Sequence, residues 1–148
     1  MAGIPRNPVS LALIANVASF LIGALLIRSA MFHLENNFAF LSTVYSYQLV
    51  GKTAGVLIAA ILPPLQLAIG VCLFSNRRRR AALLLASVVF AVFSIVQIVT
   101  LARGLNISCG CFGPTDDSPI GWASISLATV CAAVSASAAT YTARMELV

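Results

Sequence analysis

The stretch TAGVLIAAILPPLQLAIGVCLF, SNRRRR, AALLLASVVFAVFSIVQIVTL, residues 53–101, decides the fold. Two runs of 22 and 21 residues, Thr53 to Phe74 and Ala81 to Leu101, carry no charged side chain, and the six residues between them end in four arginines. A helix of roughly 20 apolar residues crosses the hydrocarbon core of a bilayer. Lipid offers backbone groups no hydrogen-bond partner, so a spanning segment is a helix or part of a closed barrel. Continuous apolarity, in place of alternation, selects the helix. The short arginine-rich connection forces the two runs into an antiparallel hairpin.

Working outward, Val9 to Ile27 and Ile120 to Tyr141 are also free of charge and long enough to span. The sequence therefore predicts an all-α integral membrane four-helix bundle, a single membrane domain over residues 1–148, with transmembrane helices at 9–27, 53–74, 81–101 and 120–141. Composition agrees: 60% of residues are hydrophobic, 9% are charged and the mean hydropathy is +1.00. A soluble domain carries about 25% charged residues, so these charges are too few to clothe a soluble surface. The first run has 19 uncharged residues, more than the apolar core of a signal peptide, and reads as an uncleaved first helix.

The formal charge of +5 argues for a nucleic-acid partner only if the basic residues form a stripe beside stacking aromatics. Four of the nine are instead Arg77 to Arg80, and the others sit singly at the ends of apolar runs, so no nucleic acid is expected and the partner is membrane lipid. A cytoplasmic N-terminus puts six basic residues inside (Arg6, Arg77 to Arg80, Arg144) and three outside (Arg28, Lys52, Arg103). The positive-inside bias thus predicts a multi-pass protein of the cell inner (plasma) membrane with both termini cytoplasmic. The 28–52 and 103–119 connections then lie on the outer face.

The first outer connection carries Phe38, Phe40, Tyr45 and Tyr47, rings that favour the headgroup level, and reads as an interfacial segment between helices one and two. Pro63-Pro64 removes two amide donors in the second helix and predicts a kink or a loosened turn, with Gln66 close by to supply an amide. Asn16 and Gln97 are polar groups within spans and are expected to hydrogen-bond to other helices.

The four cysteines fall into two kinds. Cys72 and Cys131 lie in apolar surroundings and read as small buried hydrophobes. Cys109 and Cys111 share the outer loop Ser108-Cys109-Gly110-Cys111-Phe112-Gly113-Pro114. A disulfide needs Cα atoms about 4.4–6.8 Å apart, which cysteines two residues apart reach only in a bent backbone, and Gly110 permits the bend. So small a ring gives little unfolded-state stabilisation, and its strain makes the bond labile. Thiol-disulfide exchange ranks first for the pair, inert or structural cysteines second, and a soft metal such as Cu(I) third. Zinc needs further ligands, and the single His33 is distant in sequence. His33, just past helix one, either contacts headgroups or favours thiolate at the cysteine loop.

The string Cys109-Gly110-Cys111-Phe112-Gly113, between the third and fourth of four short helices, resembles the MauE/DoxX group of redox-associated membrane proteins. The resemblance runs over nearly the whole chain, through the connection with Phe40 and Tyr45, the Leu62-Pro63 turn, the basic inner loop and the cysteine loop. It implies a role in supplying or relaying thiol-disulfide equivalents outside the cytoplasm, beside a thioredoxin-like partner as in methylamine utilisation, and does not imply a methylamine substrate. Cys109 and Cys111 are read as the reacting pair, with His33, Gly110, Phe112 and Gly113 in support. Two positions depart from the group's pattern: His33 stands where Lys is frequent, and Gln66 where Glu is frequent.

The function expected from the sequence is a membrane thiol-disulfide relay acting on thioredoxin-like or disulfide-containing partners, with no metal. No cofactor is required by the motif, and a quinone docked between helices near Tyr47 and Gln97 is the one cofactor that suits a quinone-linked variant. The rival reading is a non-enzymatic membrane assembly factor, which predicts normal function after cysteine replacement. A small transporter ranks below both, because the spans lack ionisable residues. The predicted orientation has a direct check: a membrane-impermeant thiol reagent labels the reduced Cys109/Cys111 loop in intact cells with a permeabilised outer envelope. Labelling that requires access to the cytoplasmic face reverses it.

Overall fold

The computed structural model describes residues 8–75, 78–105, 107 and 120–146. Among the described residues the chain forms five helices: α1 (Pro8–Glu35), α2 (Asn37–Ser46), α3 (Lys52–Phe74), α4 (Arg79–Ala102) and α5 (Trp122–Glu146). Four contain stretches long and apolar enough to cross a membrane, Ala12–Glu35, Lys52–Phe74, Arg79–Ala102 and Trp122–Ala143. The all-α membrane architecture expected from the sequence is thus present.

Each span turns one narrow face inward. On α1 the buried residues Ser19, Ile22, Leu26, Ser29 and His33 recur at intervals of three and four, the seam that lets helices pack side by side. The opposite face, with Leu13, Val17, Phe20 and Leu21, is exposed, as it must be where lipid is the solvent. Helix α1 lies along α3 and α4 along α5, and α3–α4 and α1–α5 contacts close the ring. The main core joins Ile22 and Leu26 of α1, Ile69 and Leu73 of α3, Leu83 and Phe90 of α4, and Ala138 and Ala139 of α5.

The first helix is longer than its charge-free run. It continues past Ile27 to Glu35, with Arg28 exposed while Ser29, Ala30 and His33 turn inward. A single charge on the outer face does not stop a helix whose next residues are good helix formers and whose inward positions keep their spacing. The chain then turns at Asn36 (φ −122°, ψ 53°) into α2. The aromatic connection is therefore a helix packed on α3 and α1, and Phe40 and Val44 of α2 bury against Ala59 of α3 in a second core. Phe38, on its other side, is 90% exposed.

Helix α3 runs unbroken through Pro63 and Pro64. At one end its close approach to α1 depends on glycine. A Cβ on Gly70 would sit 3.0 Å from the Gly23 carbonyl oxygen and 2.5 Å from Ile27. Near the other end, a Cβ on Gly55 would meet the Tyr45 ring of α2 at 2.5 Å. At the end of the bundle that carries the arginine run, Arg79 reaches from α4 to α1. Its Nη2 donates to the Ala15 carbonyl oxygen (2.6 Å) and to Ser19 Oγ (2.8 Å), and its Nη1 donates to Asn16 Oδ1.

The opposite end, hereafter the loop end, is closed by backbone devices. Helix α4 stops in a Schellman turn, with Gly104 at φ +69°, Gly104 N–H donating to the Leu101 oxygen and Leu105 N–H to the Thr100 oxygen. Arg103 Nη1 donates to the Gln48 oxygen in the α2–α3 connection (3.2 Å). Ile120 N–H donates to the Ile107 oxygen (2.9 Å), so the chain on either side of residues 108–119 is tied together.

The α1–α3 contact predicts that Gly70→Val lowers thermal stability in detergent by an amount equivalent to about 1–3 kcal/mol, the usual cost of overpacking. Gly51→Ala, at a position with nothing within 4 Å of the new Cβ, leaves it unchanged. Equal behaviour of the two variants in a thermal unfolding scan would contradict the packing.

Candidate functional site

Cys109, Gly110, Cys111, Phe112 and Gly113 lie outside the described residues. What the described residues form is a polar interior in the half of the bundle nearer the loop end. His33 is not in a connection contacting headgroups: it sits in the last turn of α1, 5% exposed. Its ring stacks on Phe40 of α2 with centroids 4.0 Å apart, and its Nε2 lies 3.2 Å from Ser29 Oγ one turn back. The heptad spacing that turns Ser29 inward also turns His33 inward, which is why the two meet.

His33 and Ser29 line a cavity of about 310 Å³. Helix α2 contributes Phe40, Thr43, Val44 and its C-cap residue Tyr47 to the wall, α3 contributes Ile58 and Leu62, and the rest of the wall is mainly valines of α4 with Gln97. The size falls at the small end of the range for ligand pockets, which are mostly apolar with a few placed polar groups. Several lining residues belong to the exposed outer surface, among them Ile58, Val88 and Val92. The mouth is therefore on the face that meets lipid, while Ser29, His33 and Gln97 of its wall are buried and Thr43 and Tyr47 partly so. Burial pushes the Tyr47 phenol up to about 12, so it stays protonated and able to donate a hydrogen bond at any physiological pH.

A smaller chamber of about 50 Å³ adjoins it at the centre of the bundle and shares Ser29, Phe93 and Gln97 with it. All four spans reach this chamber, α3 through Gln66 and α5 through Ser124, Leu127, Ala128 and Cys131. Gln66 is 1% exposed, and its Oε1 has no hydrogen-bond partner among the described residues. An unmet buried carbonyl beside a void of this size is where an ordered water belongs. Nearby, Ser94 Oγ and Thr129 Oγ1 are 2.7 Å apart and join α4 to α5.

The sequence singled out Tyr47 and Gln97, and the structure brings them to one cavity together with His33. Cys72 and Cys131 are free and half-buried against the main core, as expected, and Cys131 also faces the central chamber. Ser29 and Thr43 were missed. The signal for Ser29 was its four-residue spacing from His33, whereas Thr43 could be found only from the packing of α2.

A family model described as methylamine utilisation protein MauE matches residues 11–142. No curated protein and no solved structure matches the chain.

The stacked environment of His33 predicts that His33→Ala, which removes a buried ring, lowers stability by about 2–3 kcal/mol. His33→Phe keeps the stack on Phe40 and loses only the Ser29 contact, a change of about 1 kcal/mol. Thermal unfolding of the two variants in the same detergent separates these outcomes, and an equal loss would show that the stack contributes nothing.

Proposed function

The chain belongs to the MauE family, and from that premise we propose that it is a membrane maturation factor of the methylamine-utilisation type that works as a thiol-disulfide relay. Cys109 and Cys111 cycle between dithiol and disulfide. One thiolate attacks a partner's disulfide sulfur, forming a mixed disulfide and releasing one partner thiol. The second cysteine then displaces the other partner sulfur, so the partner leaves as a dithiol and the pair as a disulfide. The same steps reversed oxidise a partner dithiol. The partner is an extracytoplasmic thioredoxin-like or disulfide-containing protein.

The observation that carries this reading is the Cys-Gly-Cys-Phe-Gly string in the one long connection between spans α4 and α5. The described residues flanking that connection, Ile107 and Ile120, are joined by a backbone hydrogen bond, which anchors it at one end of the bundle. A scaffold that pins the two stems of a reactive segment presents it from a fixed base, an advantage for exchange with a docked partner. The orientation of the membrane helices read from the basic residues puts that end in the oxidising compartment.

The test is a trapping experiment. Single variants Cys109→Ser and Cys111→Ser, expressed with the native partners, are expected to differ: the one that retains the attacking thiol accumulates a mixed disulfide, resolved by reductant. The double variant traps nothing and loses maturation activity. Full activity of the double variant would overturn the relay and favour the assembly-factor reading.

A further inference from the structure

We propose that the cavity between α1, α2, α3 and α4 holds one acyl chain of a membrane phospholipid, with the lipid phosphate at the loop end beside Lys52 and Arg103. Such a site stands whether or not the cysteines exchange. Near the arginine end, Ile69 and Leu73 of α3 share the main core with Leu83 and Ala86 of α4. Towards the loop end the cavity lies between the same two helices, with Ile58 and Leu62 on one wall and Val88, Val92 and Val96 on the other. Ile58, Val88 and Val92 are exposed on the face that meets lipid, so the hydrocarbon of the bilayer is the phase that reaches the gap.

Length and lining select an acyl chain. On α4 the cavity runs from Val88 to Gln97, about 14 Å along the axis at about 1.5 Å per residue. At its outer end it reaches Leu49 and Val50 of the α2–α3 connection. One leaflet of the hydrocarbon core is about 15 Å thick, so the cavity covers the depth of one chain, from the middle of α4 to the headgroup level. Its wall is almost entirely apolar, and its few polar groups have interactions of their own. Ser29 Oγ lies 3.2 Å from His33 Nε2, His33 stacks on Phe40, and Thr43 Oγ1 donates to the Ala39 oxygen. Tyr47 and Gln97 each interact within the protein as well. The wall thus calls for no polar ligand, and an unfilled apolar slot forfeits the dispersion contacts that a chain restores. A second helix, about 10–12 Å across with its side chains, is too wide for a slot of about 310 Å³ over this length.

The charge at the outer end of the cavity matches a phosphate. Lys52, exposed at the start of α3, follows the lining residue Val50 by two positions. Arg103, the exposed C-cap of α4, donates from Nη1 to the Gln48 oxygen beside Leu49. Two cations from different helices therefore flank the Leu49–Val50 end, and ammonium and guanidinium groups are the side chains that bind phosphate oxygens.

The probe is phosphatidylglycerol with a photoactivatable diazirine at the end of one acyl chain, mixed into liposomes that carry the full chain, with adducts mapped by mass spectrometry. Val89, 8% exposed, and Leu62, half-buried, line the cavity, whereas Val130 on α5 is open to bulk lipid. Labelling of Val89 and Leu62 at least as strong as that of Val130 is expected. Val92→Trp narrows the mouth from an exposed position and leaves the core untouched, and it lowers the ratio of cavity labelling to Val130 labelling about fivefold or more. Labelling confined to exposed residues, or a ratio that is the same in both proteins, overturns the site. A diacylglycerol probe with the same chain lacks the phosphate and gives a ratio about threefold lower, and the double variant Lys52→Gln, Arg103→Gln removes the difference between the two probes. Equal ratios for the two probes in the wild-type protein overturn the phosphate seat, as does a difference that survives the double variant.

Discussion

A polar side chain inside a hydrocarbon slab finds its hydrogen bonds within the protein or goes without. The backbone meets that demand by being helical, but side chains meet it only if each helix is rotated so that its polar residues face its neighbours. The bundle depends on this rotation. Ser94 of α4 finds Thr129 of α5, His33 finds Ser29, and Arg79 reaches Asn16, Ser19 and the Ala15 carbonyl on α1. Apolar packing alone would not fix these rotations, because lipid competes equally for every leucine. The glycines at 23 and 70 then set how closely α1 approaches α3.

The same demand explains why two voids occur where they do. Side chains that place polar atoms between helices must meet partners at set distances, which constrains how closely their neighbours pack. Gln66 Oε1 has no partner among the described residues, and Thr43, Tyr47 and His33 border the larger cavity. His33 and Gln66 line adjoining voids that share Ser29.

Much of this was legible in residue order. Charge-free length located all four spans, because no soluble helix needs 20 residues without a charge. It misplaced the end of α1, since Arg28 was read as a boundary although it lies on the exposed face of a helix that continues to Glu35. The spacing of Leu26, Ser29 and His33 carried the correct answer, and periodicity outranks a single charge. The rings of the 37–46 segment were legible as amphipathic, but their packing as a helix on Ala59 is a tertiary property. The cavity could not be read from sequence at all, because a void is set by the residues around it jointly. The cysteine pair was legible from its motif alone, and its geometry lies outside the described residues.

The central claim is that the Cys109–Cys111 pair exchanges, and the most direct measurement is its midpoint potential. Alkylation and mass spectrometry across a graded glutathione or dithiothreitol series, with the protein in native membranes, give the oxidised fraction at each poise. The relay predicts a reversible two-electron transition above about −250 mV, since structural disulfides lie below about −300 mV. A pair that stays reduced throughout, or stays oxidised against strong reductant, contradicts it.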